Sequence, residues 1–287
     1  MRLKEPIGLV GSGFVGGSLR QVLGDFFDVK TFDLDETKRN VESVKELVEK
    51  TDLIFVCIPT PMKKDGTCHT GYVESVLKEI SLESYKKNNN KMTCVLKSTV
   101  PPGTTKKLQS MFENLSLVFY PEFLTEANAL NDFKNQNRIV LGTSDPDALE
   151  KTRACLATVF QTCQFINTTS CEAELIKYFT NCYLATKVIF ANQLKDYCDK
   201  SGINYERVYK TACLDPRITE SHFMVPGPDG DWGFGGHCFP KDLNCLITEF
   251  SGVGIENTIF EKVWDLNCHY RTDRDWEKMK NRAVIEE

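Results

Sequence analysis

Residues Pro6-Ile7-Gly8-Leu9-Val10-Gly11-Ser12-Gly13-Phe14-Val15-Gly16 decide the fold. A short apolar run leads directly into Gly11-x-Gly13-x-x-Gly16, and a helical pattern from Gly17 to Leu23 follows. That is the strand–turn–helix setting of a dinucleotide-binding fingerprint, although the bare pattern also describes a glycine-rich turn. The first glycine makes the tight turn, the second lets a pyrophosphate approach the backbone, and the third lets the helix pack on the strand. The phosphates then sit on a helix N-terminus, where N–H groups and the dipole favour anions. Val29 to Phe32 reads as a second strand ending in Asp33, about 20 residues beyond the motif, where a carboxylate binds a ribose 2′-OH. Asp35 is the neighbour that could be confused with it, but Asp33 lies closer to the strand end. A carboxylate there repels a 2′-phosphate, so the expected cofactor is NAD rather than NADP.

Outward from this motif, strands alternate with helical stretches. Leu53–Ile58, Thr93–Leu96, Leu117–Phe119 and Ile139–Leu141 are continuous apolar runs, separated by polar, helix-length segments such as 42–50 and 70–80. The pattern predicts a Rossmann-type, doubly wound parallel sheet covered on both faces, over residues 1–167. Ligands bind beyond the carboxyl ends of such strands. At those ends stand Pro59-Thr60-Pro61, the stretch 97–104 with Ser98 and Thr99, and the stretch 120–126 with Glu122 and Glu126. Each could be a loop turned by proline; together they place hydroxyls and carboxylates on one rim.

Thr169-Ser-Cys-Glu172 has capping-box spacing and opens a helical pattern that runs to Ser201, with Gly202 as the stop. About 30 residues at 1.5 Å each make a spine of roughly 45 Å for an all-α central domain over 168–270. Lys177 and Asn181 lie one turn apart on it and share a face, as a solvated pair would also do. A further helix around Tyr205–Cys213, a Gly- and Pro-rich loop through Gly236, a helix over Thr258–Tyr270 and a charged tail over 271–287 complete the order. Within Trp232-Gly-Phe234-Gly235-Gly236-His-Cys238-Phe-Pro240-Lys-Asp242, a helix starting at Pro240 would put Cys238 just before a helix N-terminus, which favours a thiolate. A buried structural thiol is the alternative.

Composition excludes other classes. The chain of 287 residues is 41% hydrophobic and 26% charged, with a formal charge of −5, which argues against nucleic acid or an anionic membrane as partner. The first apolar run is too short and too soon broken by glycine for a signal peptide or a membrane span, so a cytoplasmic protein is expected. Twelve cysteines are scattered without C-x-x-C pairs or zinc-like clustering with the four histidines, so reduced thiols and no metal are expected.

The motifs GSGFVGGSL (11–19), CIPTP (57–61), KSTVPPGT (97–104), YPEFLTEANAL (120–130), NRIVLG (137–142), ELIKYFTN (174–181), DPRI (215–218) and GFGGHCFPKD (233–242) span nearly the whole chain. In kind and order the chain resembles the UDP-glucose/GDP-mannose dehydrogenase family, nearest its UDP-glucose branch. The resemblance implies NAD-dependent, two-step oxidation of a sugar CH2OH to a carboxylate, UDP-glucose to UDP-glucuronate, through a thiohemiacetal and a thioester on Cys238. It implies that Lys177 and Asn181 hold sugar oxygens and the oxyanion, that Asp242 orients Lys177 or a water, and that Glu122 is the base for thioester hydrolysis. Thr99 would touch the nicotinamide side of NAD or position the water, and Glu126 would lie near the cofactor. Phe14, Val15, Lys38 and Thr60 join the fingerprint glycines and Asp33 as cofactor contacts. Phe123, Leu124, Phe234, Gly235 and Gly236 would line the nucleotide-sugar pocket, with Gly233 to Gly236 offering backbone groups. Arg217 matches an arginine that binds the sugar nucleotide across a subunit interface, which implies a homodimer through the central domain.

Family members normally continue with a third, Rossmann-like domain, whereas this chain stops after its charged tail. The expectation is a truncated enzyme that holds the nucleotide by the central loop and Arg217, or with another polypeptide. The alternatives are an NAD-binding, non-catalytic paralogue and a 6-phosphogluconate-type hydroxyacid dehydrogenase, which needs no cysteine.

Overall fold

Strand β1 (Pro6–Val10) lies between β2 (Asp28–Phe32) and β3 (Leu53–Val56), and this placement organises the first half of the chain. The computed structural model describes residues 4–87, 91–125 and 128–285. Beyond β3 the sheet continues through β4 (Met92–Leu96), β5 (Leu115–Phe119), β6 (Arg138–Gly142) and β7 (Gln164–Thr168), in the order β2-β1-β3-β4-β5-β6-β7. Side chains alternate strictly, as a pleat requires. Leu9, Phe55, Val95 and Ile139 face one way, against α1 (Phe14–Leu23), α5 (Ala129–Lys134) and α6 (Pro146–Val159). Val10, Ile54, Leu96 and Val140 face the other way, against α2 (Val44–Lys50), α3 (Gly71–Lys86) and α4 (Thr104–Met111). Burial on both faces is why these strands read as unbroken apolar runs. Because the chain leaves β1 for β2 and returns to its other side as β3, a crevice opens at the carboxyl ends of β1 and β3, where such sheets bind ligands.

Two features depart from the expected all-parallel sheet. β6 is antiparallel to β5, with Phe119 opposite Gly142, and β7 runs parallel to β6. The connection from β5 therefore delivers the chain to the carboxyl edge of the sheet, where β6 starts and runs back. β7 is half polar and only partly buried, so no apolar run announces it.

Helix α7 (Ser170–Ser201) opens with the predicted capping box. Thr169 Oγ1 accepts from the Glu172 N–H (3.3 Å), and Glu172 Oε2 accepts from the Thr169 N–H (2.9 Å). Gly202, at φ +69°, ends it. The chain divides within α7 into two units, Met1–Thr60 with Thr70–Lys177 and Pro61–His69 with Tyr178–Glu287. In the first, Glu174 of α7 is fully buried and accepts from the Gly103 N–H (2.6 Å) and the Thr105 N–H (2.7 Å). It thereby caps α4, whose own N-cap Gly103 has no side chain to do so. Burial pushes this carboxyl above its usual range in spite of the two N–H groups.

The second unit is helical: the rest of α7 packs with α8 (Tyr205–Ala212), α9 (Phe239–Gly252) and α10 (Thr258–Tyr270). Tyr178, Cys182, Ile189, Phe234, Leu243 and Val263 form its main core. The segment Pro61–His69 belongs to this unit, where Met62 bridges to Cys68 and to Val284. Among the described residues no helix is long and apolar enough to cross a membrane.

Glu174→Gln keeps the shape but turns one amide N–H toward a backbone N–H. It should lower stability by about 1–3 kcal/mol, read as a shift in the urea midpoint without a change in slope.

Candidate active site

At the carboxyl end of β1 the three fingerprint glycines are distinguishable by what a side chain would meet. A Cβ at Gly11, which has φ +84°, would lie 2.4 Å from the Cys57 carbonyl oxygen, and one at Gly16 would lie 1.9 Å from the Gly11 oxygen. At Gly13 a Cβ would meet nothing within 4 Å, so that backbone faces open space. The N-cap of α1 is Gly13, which has no side chain to cap the helix, and the helix starts at Phe14 and Val15. Asp33 follows β2 and is held on both oxygens, by the Ser12 N–H (2.6 Å) and the Asp35 N–H (2.8 Å). An exposed backbone beside an uncapped helix start and a pre-oriented carboxylate fit a dinucleotide, with phosphates on α1 and the ribose on Asp33. Lys38 lies 2.8 Å from Asp35 and holds that exposed carboxyl at about 2, helped by Thr37.

The loops after β3 and β4 are tied together. Thr60 Oγ1 donates to the Thr99 carbonyl (2.7 Å), while Ser98 Oγ donates to the Ile58 carbonyl (2.6 Å) and accepts from the Ile58 N–H (3.1 Å). Beyond β5, the buried Glu122 has Oε1 2.6 Å from the Leu124 N–H and 3.7 Å from Lys177 Nζ, a pair with side chains only 5% and 3% exposed. Phe123 lies between two cations, with its ring centroid 5.8 Å from Lys177 Nζ and 4.5 Å from Arg138 Cζ. Glu126 lies outside the described residues. Lys97, which opens the KSTVPPGT motif but to which the sequence reading assigns no role, is buried with Nζ 3.4 Å from the Tyr120 ring centroid, a cation–π contact. Burial lowers its pKa to about 8, against the opposing pull of Cys57 and Glu122.

In the helical unit Cys238 is the N-cap of α9, one residue earlier than Pro240 alone would suggest, with Phe239 first and Pro240 second in the helix. The Asp242 N–H donates to the Cys238 carbonyl (2.9 Å), closing the first turn. The Asp242 carboxylate, 1% exposed, accepts from Asn181 Nδ2 (2.6 Å) and from Lys241 Nζ. Burial lowers the Lys241 pKa, but the adjacent Asp242 charge wins and holds it above its usual range. Sequence reading missed Lys241 although it stands beside Asp242 in FPKD, because adjacent helix residues do not ordinarily face each other.

The glycine-rich loop is held by side chains of its own unit. The N–H groups of Gly233, Phe234 and Gly236 are taken up inside the unit, by Asn192 (2.9 Å), Asn267 (2.7 Å) and Asp275 (3.1 and 3.0 Å). Gly235 packs so closely on Arg271 and Asp275 that a Cβ would lie 2.4 Å from each. Arg217 is not drawn to this loop: it is 84% exposed, and its Nε and Nη2 fork onto Asp215 (2.9 and 2.5 Å).

A nicotinamide-dinucleotide module followed by a helical unit with a cysteine at a helix start defines a class of two-unit dehydrogenases. Comparison with known proteins narrows it. Residues 34–164 match the NAD binding domain of the UDP-glucose/GDP-mannose dehydrogenase family, and residues 171–269 match its central domain. The chain is 32% identical over 281 residues to UDP-glucose 6-dehydrogenase of Streptococcus pneumoniae, covering 86% of this chain and 69% of that one. It is 35% identical over 204 residues to the Rickettsia felis UDP-glucose 6-dehydrogenase, covering 69% and 44%. The chain thus spans from under half to about two thirds of these relatives' lengths. A UDP-glucose dehydrogenase structure from Pyrobaculum islandicum superposes with a TM-score of 0.84 at 28% identity, covering 93% of this chain and 68% of that one. The chain belongs to the UDP-glucose/GDP-mannose dehydrogenase family, and NAD is its cofactor.

Lys97 supplies a pH test. Between pH 8 and the ordinary lysine value of 10.5 the folded protein has lost this proton and the unfolded chain still binds it, so stability rises with pH in that window and the contribution is lost as pH falls through 8. Other buried groups titrate there, so the comparison is with Lys97→Met. The stability advantage of that variant should shrink by roughly 3 kcal/mol from pH 8 to 10.5 in chemical denaturation.

Proposed function

We propose that the chain is a nucleotide-sugar dehydrogenase that oxidises UDP-glucose to UDP-glucuronate with Cys238 as covalent centre. The observation that carries this reading is the seat of Cys238 at the N-cap of α9, uncapped by its own side chain, with the buried Asp242–Lys241–Asn181 cluster one turn on. The helix N-terminus favours the thiolate. NAD, when bound, takes a hydride in each of the two oxidations. Cys238 Sγ adds to the aldehyde carbon formed in the first, and the second leaves a thioester. Water then attacks the acyl carbon, the C–S bond breaks, and the thiolate returns to Cys238.

Lys177 steadies the negative oxygen of these adducts, and Glu122, 3.7 Å from it, takes the proton of the attacking water. Thr99 positions that water or meets the nicotinamide side of NAD. Asn181, tied to Asp242, holds a sugar hydroxyl. Phe123, Leu124, Phe234 and Gly235 line the sugar. The substrate assignment rests on relatives named UDP-glucose 6-dehydrogenase, and Glu122-Phe123-Leu124 fits the glucose and mannose branches of the family better than the N-acetylmannosamine branch. Incubation with NAD and UDP-glucose should release two NADH per sugar, and Cys238→Ala should stop before the acid. A yield of zero with any nucleotide sugar would mark a binding paralogue, and undiminished turnover in Cys238→Ala a cysteine-independent hydroxyacid dehydrogenase.

The reading includes a homodimer through the helical unit. Phe179, Tyr183, Phe190 and Tyr197 of α7 are 70%, 58%, 53% and 62% exposed at helical spacing, an apolar stripe of the kind that marks an interface. Exposed Arg217 is free of the loop of its own chain and suits a role toward a partner's substrate. Native protein should sediment as a dimer and Phe179→Glu should shift it toward monomer; a native monomer at micromolar concentration would exclude the assembly.

A further inference from the structure

Residues 271–285 have no part in the chemistry above, yet they are built firmly into the helical unit. Trp276 is 2% exposed and packs on Trp264 with centroids 5.6 Å apart. The Met62 N–H donates to the Ala283 carbonyl (2.7 Å) and the Ile285 N–H to the Met62 carbonyl (2.9 Å), so the segment ends as a strand-like partner of 61–69. At its start is Arg271, 6% exposed, which pairs with Asp229 (2.6 Å) and donates to the Asp273 carbonyl (2.8 Å). Asp231 accepts from the Thr272 N–H (3.1 Å), the Thr272 hydroxyl (2.9 Å) and the Asp273 N–H (2.9 Å).

These contacts clamp the early part of the glycine-rich loop, and Asp275 clamps its end. Both oxygens of Asp275 share the Gly236 N–H, at 3.1 and 3.0 Å, and Arg271 Nη2 lies 3.6 Å from the same carboxylate. Gly236 has φ +72°, and at Gly235 a Cβ would have to displace the ends of the Arg271 and Asp275 side chains. Two adjacent glycines are the most freely moving backbone a chain can have, and here they immediately precede His237 and Cys238. A charge-assisted bond on Gly236 removes that freedom two residues before the thiol.

We propose that Asp275 is a positioning residue for Cys238: through the Gly236 amide it fixes the backbone that aims the thiol from the start of α9. The inference rests on the reading of Cys238 as nucleophile, but its test does not need turnover. It assigns work to a stretch that the sequence pattern presents only as a charged tail.

The experiment compares the full chain with Asp275→Ala and Asp275→Asn, the latter isosteric and still able to accept from Gly236. Three quantities are read: Cys238 alkylation by iodoacetamide, followed on its own peptide by mass spectrometry; hydrogen exchange across Gly233–Cys238; and kcat and KM with UDP-glucose and NAD. In Asp275→Ala, exchange at Gly236 and kcat should each change by about tenfold, the scale of one charge-assisted hydrogen bond, with KM for NAD unmoved. Cys238 alkylation should change with them, and Asp275→Asn should fall between native and Ala in every readout. If both variants match the native protein in alkylation and exchange, the proposal is overturned; if only Asp275→Asn folds, its own match to native in those two readouts overturns it. Changed alkylation and exchange in a chain without turnover would sink the dehydrogenase reading and leave the role of Asp275 standing.

Discussion

A carboxylate that is 1% exposed has to be neutralised by its neighbours, and Asp242 meets that demand with Lys241 beside it and Asn181 from α7. The consequence is positional. Because Asp242 sits in the first turn of α9, satisfying its charge pins the start of that helix to α7, and Cys238 at the N-cap inherits a fixed place. Losing Lys241 would leave a buried charge uncompensated, which is far more costly than losing an exposed ion pair, and losing Asn181 would leave a buried carboxylate oxygen without its donor. The glycine-rich loop reaches Cys238 from the other side and carries its own restraint on Gly236.

The NAD-binding unit solves a similar problem with Glu174. Its two oxygens take the N–H groups of Gly103 and Thr105, so the loop that carries Thr99 is anchored to the second turn of α7. Lys177, three residues further along that helix, meets Glu122 from the loop after β5. Thr60 and Ser98 stitch the loops after β3 and β4 to each other. The rim of the sheet is thus held by hydrogen bonds between loops that short-range sequence patterns describe only as turns.

Much of this was legible beforehand where a single local rule was at work. Gly11, Gly13 and Gly16 announce themselves because each excludes a side chain for its own steric reason, or leaves room for a ligand. Thr169 and Glu172 announce the start of α7, and Gly202 its end, because caps depend on residues three or four positions apart. Glu174, Lys97 and Lys241 were not legible as partners. Each is an ordinary charged residue in its own segment, and becomes unusual only when folding strips its water away. β7 and the reversed β6 escaped for a related reason: the direction of a strand is set by the neighbour it pairs with and not by its own residues, and a half-polar edge strand has no apolar run to betray it.

By itself, then, the sequence determined the strand–turn–helix that takes NAD, the alternation that builds a sheet covered on both faces, the long α7, and the family motifs that single out Cys238, Glu122 and Lys177. The first three follow from steric and hydrogen-bonding rules acting over a few residues, or from side chains whose period matches the element that carries them; the motifs speak only through resemblance to the family. Only the tertiary structure decided that Asn181 meets Asp242, that Glu174 caps α4, that Pro61–His69 joins the helical unit, and that Asp275 from the apparent tail holds Gly236. Those pairings join residues from 39 positions apart, Gly236 and Asp275, to 223 apart, Met62 and Ile285, and they exist because a buried charge or N–H must find a partner wherever the fold brings one.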